Sequence, residues 1–249
     1  MSGHSKWSTI KHKKGAADAK RGKLFSKLSR AIMVAAKEGG SDPGSNLALQ
    51  NAIEKAREAA MPKDNIERAI AKGTGEGTDV DALEAVMYEG YGPGGVAILV
   101  EALTDNRNRT GSEIRHAFNK AGGNLGEPGS VAYLFDKKGV VIVDGSQYSE
   151  DDLMPAVDAG AEDIVLDEDV FEVITEPSDL TAVRGALVES GIEVQEASVM
   201  QRPKTLVPLD EDGAVKVMKL IDALEDLDDT DTVHANFDVD AEILERVAG

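Results

Sequence analysis

The chain has no cysteine among its 249 residues. That excludes disulfides, thiol nucleophiles, iron–sulfur clusters and cysteine-based zinc sites, and it fits a reducing, cytoplasmic setting. Aromatic residues are only 4% of the sequence, with one tryptophan, Trp7, so broad stacking platforms for single-stranded bases are scarce. No apolar run approaches the ~20 residues that span a bilayer. The basic N-terminal stretch is not followed by the apolar segment of a secretory signal. No membrane partner is expected. Serines are many, but none sits in a Gly-x-Ser-x-Gly or other catalytic context, and no enzyme is expected. His4 and His12 lack a carboxylate or cysteine partner at ligand spacing, so neither a metal nor a cofactor is expected. The acid runs 210–212 and 226–231 lack the ligand pattern of a calcium loop and read as solvated helix flanks.

Basic charge is the scarce sign, with 27 Lys and Arg against 46 Asp and Glu, and it is unevenly placed. Residues 1–37 hold ten Lys/Arg against one acid, Asp18, or 10 − 1 = +9. Residues 38–249 hold the other 17 basic groups against 45 acids, or −28, within a net charge of −19. A basic segment on an acidic body separates attraction to polyanions from repulsion by them. Nucleic acid is the commonest partner of such a segment, because neutralised phosphates release condensed counterions. A solvated tail without a partner is the bland alternative.

Apolar content of 41% supports sizeable cores, and a chain of this size buries roughly 70–75% of its unfolded surface. Segment 1–18 is polar and reads as an arm. Over 20–37, Leu24, Leu28, Ala31, Ile32 and Ala35 fall on one helical face, and Lys20, Lys23, Lys27 and Arg30 fall on the opposite one. Arg21 lies toward the apolar side, where its long stem can carry the charge outward. Gly39 and Gly40 stop this helix. Further helices are expected at 46–60 and at 65–72, the latter with Asp64 as N-cap and Glu67 three residues on. The Gly-rich stretch 73–79 reads as a linker.

Beyond it, strands are expected at 96–103, 131–135, 140–143, 164–165, 171–174, 192–200 and 233–239. Helices are expected at 110–121, from Ser149 to about Asp158, and at 178–190, 213–226 and 240–248. The helix at 110–121 opens on a Thr110–Glu113 capping box, and Pro155 should kink the helix it interrupts. The section 139–202 reads as a self-contained β-α-β-β-α-β unit. Its flanks hold too few strands separately. The expected architecture is therefore multi-domain α and α+β. A helical domain spans 1–75. One α+β domain is made of 80–138 plus 203–249, and a second spans 139–202 and is inserted in the first. Both are expected to be sandwich, ferredoxin-like folds.

Candidate nucleic-acid contacts are Lys6, Trp7, Lys11, His12, Lys13, Lys14, Lys20, Arg21, Lys23, Lys27 and Arg30. Lysine and arginine at phosphates give affinity without reading sequence. Trp7 either stacks on a base or pins the arm to the helical domain. Arg107, Asn108 and Arg109, next to a helix start, form a candidate second anion or nucleic-acid site. The alternative is a loop held by Arg–carboxylate pairs. The Gly90–Gly95 loop lacks the ending of a P-loop and reads as a rigid turn before the strand that follows.

Three stretches resemble the YebC/PmpR family, which includes the mitochondrial translational activator of cytochrome oxidase subunit one. The first is GHSKWSTIKHKK at 3–14 followed by DAKRGKLFSK at 18–27. The second is YEGYGPGGVA at 88–97 with TDNRNRT at 104–110. The third is Gly126 with GSVAYLF at 129–135. The resemblance implies a helical domain and two α+β domains, and a cytoplasmic DNA-binding transcriptional regulator. Its alternative is a ribosome- and ribosomal-RNA-associated translation factor that eases synthesis of difficult nascent sequences such as proline runs. The partner is then DNA, or ribosomal RNA and the ribosome. Partner proteins would meet the acidic α+β domains.

Overall fold

The computed structural model describes residues 21–76, 83–167, 169–240 and 243. The chain divides into two compact units. One runs from Phe135 to Arg202, and the other combines the chain before Phe135 with the chain after Arg202.

The split unit begins with three helices, α1 (Arg21–Gly39), α2 (Leu47–Glu58) and α3 (Lys63–Ala71). Ile32, Ala36, Leu49, Ile53, Ala56, Met61 and Ile66 form their buried core. Asn46 joins the first two. Its side-chain oxygen caps α2 by accepting from Leu49 N–H at 3.0 Å, and its amide donates to the Ala35 and Gly40 carbonyls at 2.8 and 2.9 Å. Three polar partners satisfy a side chain that is almost fully buried. A Cβ on Gly39 would lie 2.5 Å from that amide, so only glycine fits there.

Two expectations fail in this part. Asp64 is not the N-cap of α3. Pro62 occupies that position without a side-chain cap, and Asp64 sits in the first turn, where its charge favours the helix dipole. The linker starts later than expected, because residues 72–76 form a π-helical turn against α1. There Gly73 approaches so closely that a Cβ would lie 2.4 Å from the Met33 carbonyl oxygen.

The α+β part of the split unit holds β1 (Glu84–Tyr91), β2 (Ala97–Thr104), α4 (Arg107–Lys120) and β3 (Asn124–Leu125) before the excursion. Its sheet has the order β3-β1-β2 and then a strand supplied by the returning chain, Thr230–Ala235. All neighbours pair antiparallel. Residues 84–91 do not read as a strand in the sequence, because Glu84, Glu89 and Gly90 interrupt the apolar pattern. They pair with β2 from Glu84↔Thr104 to Tyr91↔Ala97. Helix α4 and a returning helix, Glu211–Glu225, line one core with Val96, Ile98, Val100, Ile114, Phe118, Met218, Ile221 and Val233.

The contiguous unit runs β4 (Phe135–Asp144), α5 (Met154–Asp158), β5 (Ala161–Asp167), β6 (Val170–Thr175), α6 (Leu180–Glu189) and β7 (Val194–Pro203). Its sheet order is β5-β6-β4-β7, the ferredoxin-like arrangement of a β-α-β-β-α-β chain. Val141, Val143, Leu153, Val173, Val183 and Leu187 are fully buried. Of the strands expected at 131–135 and 140–143, the second lies within β4, but only Phe135 of the first does, because Ala132–Leu134 form a short 3-10 turn. Lys137-Lys138-Gly139 lies inside this strand and not in a turn, with Lys137 exposed and Gly139 buried opposite Thr175. Pro155 falls in the first turn of α5, where its missing N–H costs nothing, and there is no kink.

The remaining elements return to the split unit: β8 (Val207–Pro208), α7 (Glu211–Glu225), β9 (Thr230–Ala235) and β10 (Phe237–Asp238). Strands β8 and β10 form a short parallel pair. Of the helix expected at 240–248, all but 240 and 243 lies outside the described residues.

Candidate nucleic-acid interface

Lys6, Trp7, Lys11, His12, Lys13, Lys14 and Lys20 lie outside the described residues. The rest of the basic set is carried by α1. Its apolar stripe differs slightly from expectation: Phe25 and Leu28 pack against the helical core with Ile32, while Leu24 is 39% exposed. The Arg21 guanidinium sits 6.0 Å from the centre of the Phe25 ring, a cation–π distance.

Periodicity alone predicts free cations on the opposite face of α1. Three of them instead meet the acidic turn that follows α7. Lys23 pairs with Asp228 Oδ1 at 3.0 Å. Lys27 donates to the Glu225 carbonyl at the C-terminal end of α7. Arg30 donates to the Asp228 carbonyl and to Asp229 Oδ1, both at 2.8 Å. Burial pulls the Lys27 ammonium below the usual lysine range, and Lys23 adds repulsion. The acceptor is favourable because unsatisfied carbonyls at a helix end carry partial negative charge.

The acid run at 226–231 is therefore no solvated flank. Asp229 is 2% exposed and serves two sets of donors. Its Oδ1 takes Arg30. Its Oδ2 takes Arg109 at 2.6 Å, the Thr110 hydroxyl at 2.6 Å and the Thr104 hydroxyl at 3.1 Å. Burial opposes the Asp229 charge, but the hydrogen bonds from Thr110, Arg109 and Thr104 outweigh it and hold the carboxyl below the usual range.

The candidate second site reads differently in the fold. Helix α4 starts at Asn106, whose side chain caps it by accepting from Arg109 N–H at 3.1 Å. Thr110 does not cap a helix; it is fully buried against Asp229. Arg107 and Arg109 thus belong to the first turn. Arg107 pairs with Glu84 at 2.5 Å, and Arg109 pairs with Asp105 at 2.8 Å as well as with Asp229. Asn108 is exposed. Asp229 first and Asp105 second hold the Arg109 guanidinium charged.

Sequence reasoning missed Glu89. This side chain, 7% exposed, points its carboxylate at three backbone donors: Gly129 N–H at 2.6 Å, Val131 N–H at 2.8 Å and Ala132 N–H at 2.8 Å. Burial opposes the charge, and the three bonds overcome it and keep the pKa low. The Tyr91 hydroxyl adds a bond to the Ser130 carbonyl at 2.9 Å. The stretches 88–97 and 129–135 are thereby fastened together. The glycine loop between β1 and β2 is a turn closed by Gly92 N–H donating to the Val96 carbonyl at 2.8 Å, with Gly94 and Gly95 at φ 73° and 79°. Among the described residues, no helix is long and apolar enough to cross a membrane, and no group of three or more His, Asp or Glu is placed to hold a metal ion.

Comparison with known proteins gives the family. Residues 5–76 match the family description "TACO1/YebC protein N-terminal domain", and residues 83–237 match "TACO1/YebC second and third domain". The chain belongs to the TACO1/YebC family. A relative from Rubrobacter xylanophilus, named "Probable transcriptional regulatory protein", is 57% identical over the full length of both chains. A relative of the same name from Dictyoglomus turgidum is 54% identical, again over both full lengths. The crystal structure of a conserved hypothetical protein from Aquifex aeolicus superposes with a TM-score of 0.77 at 49% identity, covering 90% of this chain and 92% of that one.

Proposed function

We propose that this chain is a cytoplasmic, non-enzymatic, nucleic-acid-binding regulator, and specifically a DNA-binding regulator of transcription. The observation that carries the reading is the charge division, +9 over residues 1–37 against −28 over the remainder. Phosphate binding by the basic segment supplies affinity, while the acidic body suppresses indiscriminate wrapping of polyanion. The name carried by the full-length relatives supports transcription.

Contacts from such a segment position the protein on a backbone without reading bases. Specificity then comes from nucleic-acid shape or from a protein partner meeting the acidic α+β domains. A second reading is favoured by one feature. Lys23, Arg30 and Arg109 meet carboxylate or carbonyl oxygens, the kind of acceptor that a phosphate backbone presents. Backbone recognition of this kind serves structured ribosomal RNA as well as duplex DNA.

A competition experiment separates the two. Purified ribosomes and mixed genomic duplex DNA are offered together to the labelled protein at rising salt, alongside a form lacking residues 1–18. Retention on a subset of DNA, dependent on the arm, is expected. Capture by ribosomes at salt that strips the protein from DNA would replace transcription by translation as the function.

A further inference from the structure

The cations of α1 already have an occupant. We propose that the turn at 225–229 imitates a phosphate backbone, that nucleic acid displaces it from α1, and that the helical domain therefore exists in a latched and an open state. This inference rests on the nucleic-acid reading above and adds the control of that same site.

The geometry of the latch resembles an anion track. Lys23, Lys27 and Arg30 recur at i, i+4 and i+7 on α1, so they line one side of the helix over about 10 Å. Each faces an oxygen of the turn: Asp228 Oδ1, the Glu225 carbonyl, and Asp229 Oδ1 with the Asp228 carbonyl. A duplex presents comparable oxygens at higher charge density, about one charge per 1.7 Å of axis.

The contact is also separable. The helical core and the α+β core are distinct buried clusters without a shared residue. Lys23, Lys27 and Arg30 hold the turn through ion pairs and charge-assisted hydrogen bonds. The exposed Lys23–Asp228 pair is worth little and is screened by salt, whereas Arg30 meets a buried carboxylate. Lys23 and Asp228 are 44% and 67% exposed. Release of α1 does not orphan Asp229. Its Oδ2 keeps Arg109, Thr110 and Thr104, all from the α+β part. Arg30 is the donor on the Oδ1 side, and it comes from α1. The buried carboxylate thus has one fixed set of partners and one exchangeable partner.

The test uses the full chain and two probes, a short mixed-sequence duplex DNA and an A-form RNA stem. Binding is followed by fluorescence anisotropy. Asp228→Asn removes one carboxylate of the turn and should tighten binding about three-fold. Asp212→Asn is the control for net charge. It makes the same charge change at the far end of α7, about 20 Å away, and should leave affinity within about 1.5-fold. A second readout reports the latch itself. The chain has no cysteine, so Ser41→Cys in the helical domain and Ser112→Cys on α4, both exposed, accept a donor and acceptor dye pair. Saturating duplex or RNA should change the energy transfer, and Asp228→Asn alone should change it in the same direction.

Tight binding with unchanged energy transfer, or equal effects of the two Asp→Asn changes, overturns the latch while leaving nucleic-acid binding intact. Failure of the unmodified chain to bind either probe removes the functional reading and the latch together. The probe that shifts the energy transfer at lower concentration identifies which nucleic acid opens the latch.

Discussion

The two α+β regions solve the same packing problem with different glue. The contiguous unit, 135–202, closes mainly on apolar side chains: Val141, Val143, Leu153, Val173, Val183 and Leu187 are fully buried. Its strands all come from one continuous stretch of chain, joined by short turns and two helices. The other region brings together chain segments more than a hundred residues apart. There, buried polar groups mark the seam. Asp229 of the returning chain takes Arg109, Thr104 and Thr110 of the first half. Asn236 accepts from Ala97 N–H at 2.7 Å and donates to the Thr205 carbonyl at 3.2 Å. Apolar burial is non-directional and holds any pair of complementary faces. A seam formed with a distant segment gains register from bonds that fit one partner.

If that contrast is right, the largest effect comes from Asp229→Ala. It strips the shared acceptor from two arginines and two threonines and should cost about 3 kcal/mol or more. Urea unfolding measures the loss. Hydrogen exchange should localise it to β2, α4 and β9 and leave the amides of β4 and β6 unchanged. A loss below about 1 kcal/mol, or one spread into 135–202, would break the contrast.

Glu89→Gln comes next, at about 2 kcal/mol, because a charged acceptor of three N–H groups becomes a neutral one. The pH dependence has a defined sign. A carboxyl held low in the fold contributes stability that is fully present above its unfolded pKa of about 4.3. That stability is lost as pH falls through the lower folded value. Glu89 and Asp229 are both held low, so acid unfolding of the split unit should steepen below about pH 4. Glu89→Gln should flatten that limb. An unchanged acid limb would count against the hydrogen-bonded carboxylate.

Much of the helical and strand order is legible in the sequence because it follows periodicity. Helix α1 shows its apolar stripe, and the β-α-β-β-α-β run of 139–202 shows its alternation locally. What is not legible depends on partners that the sequence keeps far apart. Glu89 reads as a break in a strand because its partners are backbone N–H groups of 129–132, which carry no side-chain signature. Thr110 reads as a helix cap because the carboxylate it meets lies 119 positions away. The face of α1 reads as free cations for the same reason, since the turn it meets is at 225–229. Asn106 is a local signal that a stronger-looking one hides. It is an N-cap residue type ahead of the Thr110–Glu113 pattern, and the helix begins at the earlier of the two.

Smaller effects sharpen the comparison. Gly73→Ala places a methyl against the Met33 carbonyl and should cost about 1–3 kcal/mol. Faster exchange should appear in α1 and α3, with the α+β cores unaffected. Lys138→Met should have the smallest effect of all, close to what urea unfolding can no longer distinguish from the unmodified chain. Lys138 pairs with Glu162 and Glu176 at the rim of the contiguous unit, away from its apolar core. A loss near that of Asp229→Ala would show that charge matters equally in both regions.

The central claim is that the basic N-terminal segment binds nucleic-acid phosphates. Its most direct test is the salt dependence of duplex DNA binding by the full chain and by a variant with Lys6, Lys11, Lys13 and Lys14 changed to Gln. Each lost phosphate contact should reduce the slope of log K against log salt by about 0.9. The variant is expected to bind more weakly, with a slope lower by about 3–4. Equal affinity and equal slope for the two proteins would contradict the claim.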